Sequence, residues 1–315
     1  MRAVVMREFG PPPVLQEAEA PEVRPGPGEV VIDVGYAGVT FVETQVRAGR
    51  PPNPAMLPAL PAILGNGVGS TVAEIGDGVD RPLTGRRVVA SLTGTGGYAE
   101  RAVAAAGQLA EVRDGVALRD AVALLADGRT ALALAGRARL TEADTVLVEA
   151  AAGGVGTLLV QLARNAGARV VALASEERKL RLARDLGADI AISYGNGDWA
   201  ARVRDAVGRV DVVFDGVGGD IGLAAQASPR VFRFERIVRR FQRLFHRHNA
   251  EALQQFGLAA VPAVERAHAD SGAFGDSRDG GACAQWAEDV ACRVQYGQVI
   301  APGLGLPTVH GLRAQ

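Results

Sequence analysis

The stretch VLVEAAAGGVGTLLVQLAR, residues 146–164, constrains the fold more than any other part of this chain. Val146, Leu147 and Val148 form an apolar, β-friendly run that gives way to Ala151, Gly153, Gly154 and Gly156. Leu158, Leu159, Leu162 and Ala163 then recur at helical spacing. Strand, glycine turn and helix, in that order, is the setting in which a GxGxxG-like pattern points to a dinucleotide. Bare backbone at the turn can approach a pyrophosphate, whose charge is favoured at the helix N-terminus. Ala151 stands where the first glycine would be, so the pattern reads AxGxxG, which an ordinary buried strand–turn–helix can also produce.

The flanking segments narrow that choice. ARVVALA precedes the helical EERKLRLARDLG, DIAIS precedes a helix near 198–207, and VDVVFDGVG follows. Repeated strand–helix units of this kind build a doubly wound parallel sheet. Upstream, residues 1–115 are β-rich. STVAEIGDGV, RRVVASL and YAERAVA are strand-like runs separated by Gly and Pro. Five prolines (Pro51, Pro52, Pro54, Pro58, Pro61) predict an irregular loop across 50–62, and DAVALLADGRTALALAG predicts a helix from about 119. The expected architecture is α/β, with a β-rich domain over 1–117, a nucleotide-binding domain over 118–260 and an atypical tail over 261–315.

Composition removes several classes of function. At 315 residues and 48% hydrophobic, the chain can bury a sizeable core in roughly two domains. Its net charge of −1 supplies no overall field for nucleic acid or an anionic membrane. Neither a membrane span nor a signal peptide is expected, and the cytoplasm is the default compartment. Every histidine (His246, His248, His268, His310) and both cysteines (Cys283, Cys292) lie beyond residue 240, so the preceding three-quarters of the chain offers no imidazole or thiol. Lys179 is the single lysine.

Together these residues resemble the medium-chain dehydrogenase/reductase superfamily, specifically its zinc-free quinone oxidoreductase branch, related to zeta-crystallin. The opening MRAVV…FGPP, the turn PGPGEVVIDV, AGVTFVETQVRAG, LPALPAILGNGVG, GGYAE and DGRTAL carry the resemblance, which covers about residues 1–225. The signature of the branch is met by Ala151, Ala152, Gly153, Gly154, Val155, Gly156, Gln161 and Arg164, and departs at Ala143, where an acid is usual. The resemblance implies a GroES-like domain followed by a Rossmann domain. Zinc-using members place a Cys near 40 and a His-Glu pair after the glycine near 65. Here stand Thr40, Asn66 and Gly67, which cannot provide the roughly three N, S or carboxylate ligands that catalytic zinc needs.

Cofactor choice rests on the second strand of the nucleotide domain. It ends Ala172, Leu173, Ala174, without the acid that would hold a ribose 2′-hydroxyl. In similar proteins a small residue, a lysine four positions on and a tyrosine after the next strand bind a 2′-phosphate. Ser175, Lys179 and Tyr194 occupy those positions, which favours NADPH, whereas Glu176 as a ribose acid would favour NADH. The resemblance also brings Thr130, Gly216 and Val217 to the cofactor and Thr40 near the nicotinamide. Thr40 is the sole candidate for a catalytic role, with a threonine satisfied by backbone as its alternative; Tyr98 reads as structural.

The expected activity is zinc-independent hydride transfer from NADPH to a small quinone or α,β-unsaturated carbonyl compound, with no nucleic-acid or membrane partner. The alternatives are an enoyl-thioester reductase of the same superfamily and a catalytically inactive nucleotide-binding protein. The latter is raised by the chain after about Ala225, where the family pattern stops; this also argues against the homodimer the family implies. Arg239–Asn249, RRFQRLFHRHN, can be encoded so that the neighbouring frame reads VGFSGSFTDI, which looks like the missing nicotinamide-side loop. A reading-frame change is therefore expected there, and inspection of the gene in that frame decides it.

Overall fold

The computed structural model describes residues 1–195, 197–218 and 230–233. The expected domain end at 260, the tail over 261–315 and the proposed frame change lie outside the described residues.

The N-terminal part is built from β1 (Arg2–Met6), β2 (Leu15–Glu19), β3 (Glu29–Gly38), the short helix α1 (Phe41–Arg47), β4 (Ala62–Ile63), β5 (Gly67–Ile75), β6 (Arg87–Ser91), β7 (Arg101–Ala105) and β8 (Leu109–Glu111). Their antiparallel sheets run β7-β3-β5-β6-β8 and β2-β1-β4. Met6, Val30, Ile32, Val68, Val88 and Ala90 fill the space between them and are essentially inaccessible to solvent. The opening residues form β1 over Arg2–Met6, within the stretch read as β-rich, and the proline-rich loop takes one short 3₁₀ turn at Pro54–Met56.

A single long helix, α2 (Leu118–Ala138), joins this part to the next. Its sequence buries two faces. Val122 and Leu125 pack with Val89 and Ala110 of the β-rich part, whereas Leu124, Ala131, Leu134 and Ala138 enter the core of the following sheet. Gly69 permits that approach: a Cβ there would collide with Val122.

The second part alternates strand and helix: β9 (Thr145–Val148), α3 (Gly154–Asn165), β10 (Arg169–Ala174), α4 (Glu177–Asp185), β11 (Ile190–Ser193), α5 (Trp199–Val207) and β12 (Val212–Asp215), with β13 (Arg230–Arg233) beyond. All pairings are parallel, in the order β11-β10-β9-β12-β13. Val146, Leu147 and Val148 are buried on both faces, as expected of a central strand covered by helices on either side. The order reverses between β9 and its neighbours β10 and β12. Such a switch point opens a crevice at the carboxyl ends of the strands.

Candidate active site

The turn after β9 sits at that crevice. Ala150 adopts a left-handed conformation (φ 47°), Ala151 N–H donates to Leu173 O at 2.9 Å, and Gly153 N–H donates to Ala150 O at 2.8 Å. These bonds fold the chain back sharply before α3 begins. Gly153 is the N-cap of α3 and has no side chain to satisfy the first N–H groups of the helix. Gly153 and Gly154 are exposed, Ala152 and Val155 partly so, and Gly156 is buried beneath the turn. A Cβ on Gly156 would fall inside the Ala150 carbonyl oxygen and 2.9 Å from Ala151 Cα. The turn thus offers bare, positively polarised backbone at its rim and tolerates no side chain at its base.

Two further groups of expected residues lie along the same edge. Ser175 follows β10, and the Lys179 Nζ donates to Ser175 Oγ at 3.4 Å and to Glu176 Oε1 at 3.1 Å. Tyr194, just past β11, donates its N–H to Ala174 O at 3.2 Å and packs against the Trp199 cluster. At the end of β12 the buried Asp215 accepts from Gly218 N–H at 2.7 Å, which leaves Gly216 and Val217 exposed on the crest of the turn. Thr130 lies in α2 and donates its hydroxyl to Ala126 O at 2.9 Å.

A cleft between the β-rich part and α2, where Asp127 meets Gly154 of α3, is lined by Gly38, Thr40, Asn66, Ser91, Ala126 and Asp127, among others. Thr40 is the N-cap of α1 in a complete capping box: Glu43 N–H donates to Thr40 Oγ1, and Thr40 N–H donates to Glu43 Oε2 at 2.6 Å. Asn66 N–H donates to the other Glu43 oxygen at 2.7 Å. The Tyr98 hydroxyl lies beside this buried carboxylate and 3.5 Å from Gly38 O. Desolvation pushes the Glu43 carboxyl upward against the lowering effect of its backbone donors. Desolvation, and then the neighbouring Glu43, push the Tyr98 phenol well above its ordinary value. Thr40→Ala is expected to lower stability by about 1 kcal/mol in urea unfolding, with Thr40→Ser retaining most of it.

Sequence reasoning passed over Asp127. Its carboxyl stands on the cleft wall against the first residue of α3; a Cβ on Gly154 would land on Asp127 Oδ2. Burial first, and the Glu43 charge second, raise Asp127 to about 6. Two residues on, Arg129 is held low, at about 10, by burial, and its guanidinium donates to the Ser91 hydroxyl. An aspartate within a helical run reads as a solvated residue, and nothing local in the sequence marks it otherwise. The Thr40-x-x-Glu43 spacing, by contrast, was an available sign of α1.

Comparison with known proteins fits this arrangement. A family model described as "Alcohol dehydrogenase GroES-like domain" matches residues 26–114, and one described as "Zinc-binding dehydrogenase" matches 154–231. A 2-haloacrylate reductase from a Burkholderia species is 36% identical over 225 residues, covering 70% of this chain and 67% of its own length. The chain belongs to the medium-chain dehydrogenase/reductase superfamily, in its zinc-free quinone oxidoreductase-like branch. A quinone oxidoreductase from Pseudomonas aeruginosa is 34% identical, covering 67% of this chain and 65% of its own length. The chain thus spans about two thirds of the length of these relatives. A mycobacterial member of known structure, complexed with NADPH, superposes with a TM-score of 0.65 at 36% identity, covering 72% of this chain and 70% of that one. The positions of the zinc ligands carry Thr40, Asn66 and Gly67. Thr40 caps α1, and the Asn66 side-chain oxygen accepts from Gly94 N–H at 2.9 Å. Among the described residues no helix is long and apolar enough to cross a membrane.

Proposed function

We propose that this chain is a zinc-independent oxidoreductase that moves a hydride from NADPH to a quinone or an α,β-unsaturated carbonyl compound. The observation that carries the reading is the edge formed by β9, β10, β11 and β12, where a cradle without side chains adjoins the lone lysine of the chain. The backbone N–H groups at Gly154 and Val155 would face the pyrophosphate, with Ala152 and Gly153 against it. Lys179 and Ser175 would hold a 2′-phosphate beneath Tyr194. Thr130, Gly216 and Val217 would flank the nicotinamide half. The relatives named for quinone and 2-haloacrylate reduction support the substrate class, and the NADPH complex of the mycobacterial member supports the coenzyme.

NADPH, when bound, supplies the hydride. The protein contributes position and a cleft wall of low polarity at Gly38, Val122 and Leu125. A reduced quinone takes its protons from water, so quinone reduction asks for no dedicated acid. The test is consumption of NADPH and of NADH by the purified chain, followed by nicotinamide absorbance, with benzoquinone and with the enone carvone. Turnover with NADPH, and much slower turnover with NADH, is expected. Saturable NADPH binding without turnover of either acceptor would instead support an inactive nucleotide-binding protein.

A further inference from the structure

The cleft holds a carboxyl group that hydride transfer to a quinone leaves without a task. Asp127 projects from α2 between the cap of α1 and the first turn of α3. It is partly open to the cleft and in contact with Gly154. Among the described residues no group hydrogen-bonds its side chain. The charged or titratable groups packed around it are few. Glu43 faces it from α1, with the Tyr98 phenol behind Glu43. The first turn of α3 carries no acidic residue, and Arg129 of its own helix is turned to Ser91. The neighbouring carboxylate and the surrounding protein both oppose a charge on Asp127, while the open side admits a ligand.

Resting on the hydride-transfer reading above, we infer that Asp127 is the general acid for reduction of a carbon–carbon double bond conjugated to a carbonyl. The site is then built for enones as well as for quinones. Hydride from NADPH forms a C–H bond at the β carbon, and the π pair of the double bond moves to give an enolate. The Asp127 O–H bond breaks as its proton forms the C–H bond at the α carbon. NADPH is oxidised, the alkene is reduced by two electrons, and the aspartate is left as a carboxylate that regains a proton from water in the cleft. A carboxyl held near 6 keeps a useful fraction of acid at neutral pH, where an ordinary aspartate keeps almost none. Its place on the cleft wall would set it against one face of a substrate held there.

The test compares the full-length wild-type chain with Asp127→Asn and with the smaller Asp127→Ser, which cannot clash with Gly154. With carvone, whose α carbon becomes a stereocentre on reduction, both variants should lose about 100-fold in turnover. The remaining product should approach an even mixture of dihydrocarvone epimers, because water then protonates the enolate. Benzoquinone reduction should change only a few-fold. Wild-type kcat/KM for carvone should fall as pH rises through about 6, and this limb should vanish in Asp127→Asn.

A second readout needs no coenzyme. A carboxyl raised above its unfolded value binds its proton more tightly when folded, so it lowers stability as pH climbs from the unfolded value to the folded one. The thermal midpoint of the wild type should therefore drop relative to Asp127→Asn over that interval. Unchanged carvone turnover and epimer ratio in the variants, beside an active wild type, overturn the inference alone. A wild type that binds NADPH but reduces neither acceptor overturns the functional reading, and this inference with it.

Discussion

Gly156→Ala is expected to destabilise the second part of the chain by about 3 kcal/mol or more and to abolish measurable NADPH binding. The new methyl would meet the Ala150 carbonyl oxygen and Ala151 Cα, which are backbone and cannot rotate aside. Both atoms belong to the bend anchored by Ala151 N–H on Leu173 O and Gly153 N–H on Ala150 O. Relief would require the bend to open, moving the free N–H groups of α3 out of reach of a pyrophosphate. Gly154→Ala provides the contrast. Its methyl meets the end of a side chain, Asp127, which can turn away, so folding should survive. Chemical denaturation read beside a fluorescence titration with NADPH separates the two. Gly156→Ala that kept wild-type stability and binding would show that the bend is not held as described.

That contrast also separates local requirements, which residue types record, from those set by distant neighbours. The glycine turn announces itself because its requirement is local: a backbone oxygen two ångströms or so from a would-be methyl excludes every other residue at Gly156, and the residue type records it. The same holds for the continuous apolar runs of β9 and β10, which only a sheet covered on both faces accommodates. Helix α2 was legible as a helix, but its double duty was not. Val122 and Leu125 differ from Leu124 and Leu134 only in which neighbour they meet, and that neighbour is set by the path of the chain across two sheets. Helix α1 was missed because seven residues give too few turns for a periodic signal, although its capping box was present in the letters. Asp127 was missed for a deeper reason. Its chemistry arises from Glu43 and Gly154, which are 84 residues before it and 27 after it in the chain, so no window around Asp127 contains its cause.

The second large effect is expected at Lys179. Lys179→Ala should weaken NADPH binding by about 10- to 100-fold, the magnitude of one or two charge-assisted hydrogen bonds to a phosphate, and leave NADH binding within a few-fold. The Lys179 ammonium donates to Ser175 Oγ at 3.4 Å and pairs with Glu176 Oε1 at 3.1 Å, so a 2′-phosphate must displace that carboxylate before it can be held. Glu176 is exposed and caps no N–H of α4, so little holds it there beyond the lysine itself. Glu176→Gln should therefore strengthen NADPH binding by a few-fold, and the gain should shrink with added salt as screening weakens the pair it removes. If Glu176 instead bonded the two ribose hydroxyls, the same substitution would weaken NADH binding and leave NADPH untouched. Titrating both coenzymes into both variants distinguishes these arrangements, and equal loss of NADPH and NADH in Lys179→Ala would overturn the reading of Ser175, Lys179 and Tyr194 as the seat of a 2′-phosphate.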